Sequence, residues 1–251
     1  MDDGSARTGP APERPSRRSR RDADQPMYVV RPGTVAYREA WDLQRRLVAE
    51  RQADAGRDVL LLLEHPRVYT LGRRTDRAHL LFDQAQRDAR GIELVEVDRG
   101  GDVTYHGPGQ LVGYPVMRLA SLRGVVDYVR SLEEVLIGVL ATFDVVGERV
   151  PDLTGVWVGN DKIAAIGVRV ASRGVTSHGF ALNVTSDLDD FAGIVPCGIV
   201  GRGVCSLQSL GIDTTVDEVA DRVEQMVADV FGATLEATTR DTLGRPTTPT
   251  A

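Results

Sequence analysis

The chain has 251 residues and a single lysine, Lys162, although lysine and arginine together number 30, so the other 29 are arginine. Cysteine is almost as scarce, with only Cys197 and Cys205, and aromatic residues make up 5%. Two cysteines are too few for a secreted disulfide framework, and they lack the partners of a zinc site. Reduced thiols in a cytoplasmic protein without a metal are therefore expected. No segment approaches the ~18 consecutive apolar residues that a membrane-spanning helix needs. The formal net charge is -6; residues 1–26 hold six arginines and five acids, or +1, which leaves -7 for residues 27–251. That balance disfavours a globally basic nucleic-acid binder.

A genome that favours arginine explains why lysine is scarce, but not why one position kept it. Arginine stays protonated at any relevant pH, whereas an ammonium can release its proton in surroundings that disfavour the charge. Lys162, in "VGNDKIAAIGVRV", is thus a candidate for proton chemistry, with a surface lysine left by chance as the alternative.

Residues 1–26 contain four prolines and no Leu, Ile, Val or aromatic residue, so a disordered tail is expected there. A domain over 27–236 and a flexible C-terminal tail over 237–251 complete the expected organisation. "MYVVRPGTVAY" suggests a strand, and "YREAWDLQRRLVAERQAD" a helix with Ala40, Leu43 and Leu47 at helical spacing. "DVLLLLEHP" reads as a strand buried on both faces, and "GIELVEVD" as another strand. Residues 125–143 put Val125, Val129, Leu132, Leu136, Val139, Leu140 and Phe143 on one helical stripe. Strands follow from 154 to 184, and Thr215 with Glu218 predicts a capping box opening a last helix. Strands and helices mix without strict alternation. The expected class is α/β of the α+β type, a mixed, largely antiparallel sheet flanked by helices.

Two segments can carry chemistry. "RGGDVTYHGPGQ", residues 99–110, has four glycines around Thr104, Tyr105 and His106, so its backbone can approach a ligand closely and present amide donors. It lacks the lysine followed by Ser or Thr of a phosphate-binding P-loop. In "GIVPCGIVGRGVCSL", Cys197 lies in a Pro-Cys-Gly turn that favours an accessible thiol, while Cys205 reads as a small buried hydrophobe. His106, His178 and Lys162 are the groups that can hold or remove the proton of Cys197. His65 and His79 read as structural or solvated. Spacing alone leaves both a Cys–His and a Cys–Lys pair open.

"RGGDVTYHGPGQLVGYPV", "KIAAIGVRV", "SHGFALNV" and "PCGI", in this order and spacing, resemble the lipoyl(octanoyl) transferases, of the superfamily shared with biotin and lipoate protein ligases. The likeness runs from about residue 28 to about residue 232, and it implies that superfamily's catalytic-domain fold. It also implies transfer of octanoyl from octanoyl-acyl carrier protein to one lysine of a lipoyl domain. The acceptors would be glycine cleavage H protein and 2-oxoacid dehydrogenase subunits. By the resemblance Cys197 carries the acyl group and Lys162 lowers its pKa. Substrate binding then falls on Arg99, Gly100, Gly101, Asp102, Val103, Thr104, Tyr105 and His106, on Ala165, Ile166 and Gly167, and on Gly179, Phe180 and Ala181. His178 is a second choice for the proton. Backbone amides of Cys197, Gly198 or Gly167 are candidates to hold the oxyanion. A thioester is already activated, so neither ATP nor a cofactor is expected. Arg73, Arg74 and Arg77 are expected at the cavity mouth to meet an acidic carrier protein, the enzyme acting as a monomer. The competing readings are an octanoyl amidotransferase between lipoyl domains, an ATP-dependent lipoate ligase and a non-catalytic acyl-binding relative.

Overall fold

The computed structural model describes residues 25–120, 124–195 and 202–244. Cys197, Gly198 and most of the expected N-terminal tail lie outside these residues. In chain order the elements are β1 (Met27–Thr34), α1 (Tyr37–Gln52), β2 (Val59–Glu64), β3 (Val68–Leu71), α2 (Gln84–Arg90), β4 (Glu93–Glu96), β5 (Val103–His106) and β6 (Gln110–Val116). They continue with α3 (Val125–Ala141), β7 (Glu148–Val150), β8 (Leu153–Val158), β9 (Asp161–Val170), β10 (Thr176–Asn183), β11 (Gly203–Val204), α4 (Val216–Phe231) and β12 (Leu235–Ala237).

The large sheet runs β12-β1-β2-β6-β10-β9-β8-β7, with β11 added beside β9. Pairing is parallel for β12/β1, β1/β2 and β11/β9 and antiparallel for the rest, as the mixed, largely antiparallel expectation requires. The sheet is packed on both faces, and β2 shows how. Val59, Leu61 and Leu63 join Ala40, Leu43 and Leu47 of α1 in one apolar cluster. Leu60 and Leu62 join Leu132 and Leu136 of α3 and Val219 and Val223 of α4 in another. A run without polar alternation is what the period-two geometry of a strand demands when both faces are covered. The last helix opens on the expected capping box: Glu218 N donates to Thr215 Oγ1 at 3.2 Å and Thr215 N to Glu218 Oε2 at 2.9 Å.

A second sheet, β4-β3-β5, lies within the segment 68–106. Within the glycine-rich segment 99–110, Val103–His106 form β5, which went unread in the sequence, and pair antiparallel with β3. The reason is tertiary: Val103 and Tyr105 find Tyr69, Leu71, Phe191 and Ile194 to pack against. At the C-terminus, residues 237–244 differ from a loose tail. Ala237 pairs with Val29, Leu243 is buried against the α1 cluster, and Arg240 Nη1 meets Glu39 Oε1 at 2.6 Å. One leucine among polar residues gave little sequence signal for that docking.

Candidate active site

A cavity of about 490 Å³ opens where the glycine-rich segment crosses the β9–β10 hairpin. Antiparallel pairing makes this meeting possible, since the register sets Ala165 opposite Ala181, Ile166 opposite Phe180 and Gly167 opposite Gly179. Two motifs 14 residues apart in the chain thereby become cross-strand neighbours. The segment is fixed to the hairpin by Gly100 N, which donates to Val168 O at 3.0 Å. Gly167 permits the approach, because a Cβ there would lie 3.1 Å from Gly100 O and from Arg99 Cδ. Arg99 is buried; its Nη2 donates to Thr70 O at 2.7 Å and to Thr70 Oγ1 at 2.8 Å, and its Nη1 to Gly100 O at 3.1 Å. Its guanidinium thus braces the loop against β3.

Lys162 lines this cavity and is only 6% exposed. Its Nζ lies 4.7 Å from the centre of the Trp157 ring, a cation–π contact, and Arg202 stands 4.9 Å from the same ring. Room for the lysine stem comes from Gly155. Its φ of +122° lies in a region closed to other residues, and a Cβ there would sit 2.5 Å from Ala164 O and 3.5 Å from Lys162 Cε. Val204 of β11 pairs with Lys162, and Cys205 N donates to Lys162 O at 3.1 Å. The chain that follows the Pro-Cys-Gly sequence is therefore stitched, from Gly203 on, to the lysine's own strand. Cys205 itself is buried in the α3–α4 cluster, and burial, with Asp161 nearby, pushes its thiol up to about 12.

Two histidines face the cavity, each held by a different kind of partner. His178 Nε2 bonds Asp98 Oδ1 at 2.8 Å, and Arg169 Nη1 meets the other Asp98 oxygen at 3.0 Å. The hydrogen bond to His178 holds the Asp98 carboxyl below its ordinary value. Burial lowers His178, partly offset by Asp98. The His178 backbone has φ +57° and its N donates to Gln44 Oε1 at 2.7 Å, a conformation rare for a residue with a side chain. His106 Nδ1 instead meets the amide oxygen of Gln110 at 2.8 Å, and burial drives its pKa well below the usual histidine value.

This arrangement matches known proteins. The profile of the lipoyl protein ligase A/B catalytic domain covers residues 36–228. The chain belongs to this family. An octanoyltransferase of Gloeobacter violaceus is 53% identical over 210 residues, 83% of this chain and 91% of that protein. An octanoyltransferase of Nocardia farcinica is 48% identical over 242 residues, 93% of both chains. Among solved structures, a putative lipoate protein ligase from T. acidophilum with bound lipoic acid aligns over 86% of this chain and 90% of its own, with TM-score 0.69 and 17% identity. A lipoate-protein ligase A bound with ATP aligns over 86% of this chain and 89% of its own, with TM-score 0.68 and 16% identity. These likenesses show the fold.

Within this member of the lipoyl protein ligase A/B family, the cavity gathers Lys162, His178 and every residue named for substrate binding except Tyr105. Strand alternation turns the Tyr105 ring away to Tyr69 and Phe191, where its hydroxyl donates to Asp190 Oδ2 at 2.8 Å. Cys197 lies outside the described residues. Of the three arginines expected at the mouth, Arg74 lines the cavity, whereas exposed Arg77 pairs with Glu96 at 2.6 Å. Tyr37, Tyr114, Val129 and Asp152–Thr154 also line it and went unread in the sequence, where they look like core or turn residues. His65 is structural as expected, with Nδ1 donating to Val35 O at 2.6 Å and Nε2 accepting from the Tyr114 hydroxyl at 2.8 Å. His79 was read as solvated or structural, but its Nδ1 lies 2.5 Å from Oδ2 of Asp102, a cavity residue. Among the described residues no group of three or more His, Cys, Asp or Glu could hold a metal ion, and no helix is long and apolar enough to cross a membrane.

Proposed function

We propose that this chain moves an octanoyl group from octanoyl-acyl carrier protein to one lysine of a lipoyl domain, through a thioester on Cys197. The lipoyl domains would be those of glycine cleavage H protein and 2-oxoacid dehydrogenase subunits in the cytoplasm. The carrying observation is the chain's single lysine, buried in the wall of the cavity and paired with the strand that follows the Pro-Cys-Gly sequence. Support also comes from the other end of that segment. Val195, two residues before Cys197, donates its N–H to His79 O at 2.8 Å, and the His79 ring reaches the cavity residue Asp102.

In the first half-reaction the Cys197 thiol passes its proton to Lys162 and its sulfur attacks the thioester carbonyl of the donor. Backbone amides, with Gly167 a candidate, hold the oxyanion. The carrier's sulfur leaves and takes the proton back from Lys162. In the second, the lysine amine of the lipoyl domain attacks the Cys197 thioester and surrenders a proton to Lys162, which hands it to the departing Cys197 sulfur, and an amide and a free thiol result. Val129, Leu153, Ile166, Val168 and Phe180 give the chain pocket apolar walls, where each buried methylene contributes about 0.8 kcal/mol. Arg74, exposed where it lines the cavity, and its exposed neighbour Arg73 would meet the acidic carrier.

Intact mass after mixing with octanoyl-acyl carrier protein tests this reading. One added octanoyl group is expected in wild type and in Cys205→Ala, and none in Cys197→Ala. Modification of a lipoyl domain by octanoate and ATP with a fully active Cys197→Ala protein would instead make the chain a ligase. Acceptance of octanoylated H protein but not octanoyl carrier protein as donor would make it an amidotransferase.

A further inference from the structure

His106 has one ring nitrogen occupied and one open. Nδ1 lies 2.8 Å from Gln110 Oε1. The polar side-chain atoms sealed from solvent without a partner include His178 Nδ1 but not His106 Nε2. As His106 lines the cavity and Nε2 has no partner among the described residues, that nitrogen is reached from the cavity. Tyr37 stacks on the ring at 5.8 Å and 15°, and His65 meets it edge-on at 5.7 Å, so the imidazole plane is fixed.

The protonation of the two nitrogens follows from two backbone carbonyls. Cys205 O can only accept, and it receives Asn183 Nδ2 at 2.9 Å. Asn183 therefore turns Oδ1 to Gln110, where it accepts from Nε2 at 2.9 Å. The same Gln110 nitrogen donates to Tyr105 O at 3.2 Å, so Gln110 must present its oxygen to His106. Turning the Gln110 amide over would set oxygen against oxygen at both Tyr105 and Asn183, and rescuing the second by turning Asn183 would repeat the clash at Cys205. His106 Nδ1 consequently carries the hydrogen, and Nε2 is a bare acceptor facing the cavity.

We infer that Gln110 and Asn183 are positioning residues that lock His106 as its Nδ1–H tautomer, so that Nε2 accepts a hydrogen bond from an N–H of a substrate in the cavity. Resting on the proposed transfer, the donor is the incoming lysine amine, because neither the acyl chain nor the thioester carries a hydrogen on nitrogen or oxygen. His106 orients this amine and leaves its proton to Lys162. Its own partner is a neutral amide, which stabilises an imidazolium poorly. The charged and titratable groups that act on it, His65, Arg99 and His178, include no carboxylate.

Ring-¹⁵N NMR of the histidine-labelled full chain tests the tautomer without any assay, with His106→Gln identifying the signals. One protonated nitrogen at δ1 and one bare nitrogen at ε2 are expected from neutral pH down to about pH 6. A ring carrying hydrogen on Nε2 overturns the inference whether or not the chain transfers octanoyl. Gln110→Glu keeps the acceptor but sets a carboxylate against Nδ1–H. His106 should then take up a proton at higher pH, turning Nε2 from acceptor to donor. Single-turnover aminolysis of the acyl-enzyme should lose about tenfold for each unit by which the pH lies below the raised ring value, while acylation by the carrier keeps its profile. Loss confined to acylation would transfer the contact to an N–H of the donor's arm and overturn the amine assignment. Asn183→Leu removes the shorter of the two bonds that orient the Gln110 amide and leaves only Tyr105 O, so a minor second tautomer in its spectrum is the expected result; an unchanged spectrum would remove Asn183 from the relay.

Discussion

β2 and β9 are apolar strands of one sheet with opposite uses. In β2, Val59–Leu63 are all buried, one parity under α1 and the other under α3 and α4. In β9, Lys162–Ala164 are buried, but Ala165–Val170 are only half-buried: Ile166, Val168 and Val170 touch the α3–α4 cluster, and the glycine-rich segment crosses at Val168. A helix brings side chains that fill the space above a strand. A segment with Gly100 and Gly101 brings backbone, and the unfilled volume becomes the cavity. The comparison teaches that the site arises from the covering element as much as from the strand.

The contrast can be broken from either side. The largest effect is expected in β9: Lys162→Arg keeps the positive charge but cannot release a proton, so turnover should fall by about 10²–10⁴ with a melting temperature close to wild type. Near-normal turnover would reduce Lys162 to an electrostatic role. In β2, Leu61→Ala should cost about 2–5 kcal/mol in denaturant unfolding and leave turnover per folded molecule unchanged. A selective loss of activity there would mean that the two strands are not separate in function. Ile166→Trp fills the cavity, so activity with octanoyl donors should drop while short acyl donors are retained. Equal loss for all chain lengths would argue that Ile166 does not face the acyl chain.

A smaller effect concerns Asp98 beside His178. The folded-state pKa of Asp98 is depressed, so its pairing stabilises the protein above the ordinary carboxylate pKa of about 3.9 and is lost as pH falls through the depressed value. Asp98→Asn should therefore be less stable than wild type near neutrality, and the two melting curves should converge in acid. A difference that persists at low pH would assign the effect to packing. Arg77→Ala removes an exposed ion pair away from both strands and should change stability by less than about 0.5 kcal/mol.

Much of this was legible before folding. Residues 59–64 were a doubly buried strand because five apolar residues in succession allow little else, and Thr215 with Glu218 announced the last helix. Lys162 stood out by its solitude, which is a property of composition and needs no coordinates. Other features had no local trace. Tyr105 belongs to a motif read as substrate-binding, yet alternation along β5 turns its ring to Asp190. Tyr37 and Tyr114 look like core residues and reach the cavity because α1 and β6 converge beside β10.

The sequence by itself determined the helices, most strands and the identity of the reactive candidates, because periodicity, capping and rare residue types are local properties of the chain. Only the tertiary structure decided that Ala165–Gly167 and Gly179–Ala181 face one another, that Gly155 makes room for the Lys162 stem, and that Asn183 sets the proton on His106. Register, close backbone approach and hydrogen-bond direction depend on which distant residue lies opposite, and spacing along one chain does not carry that information.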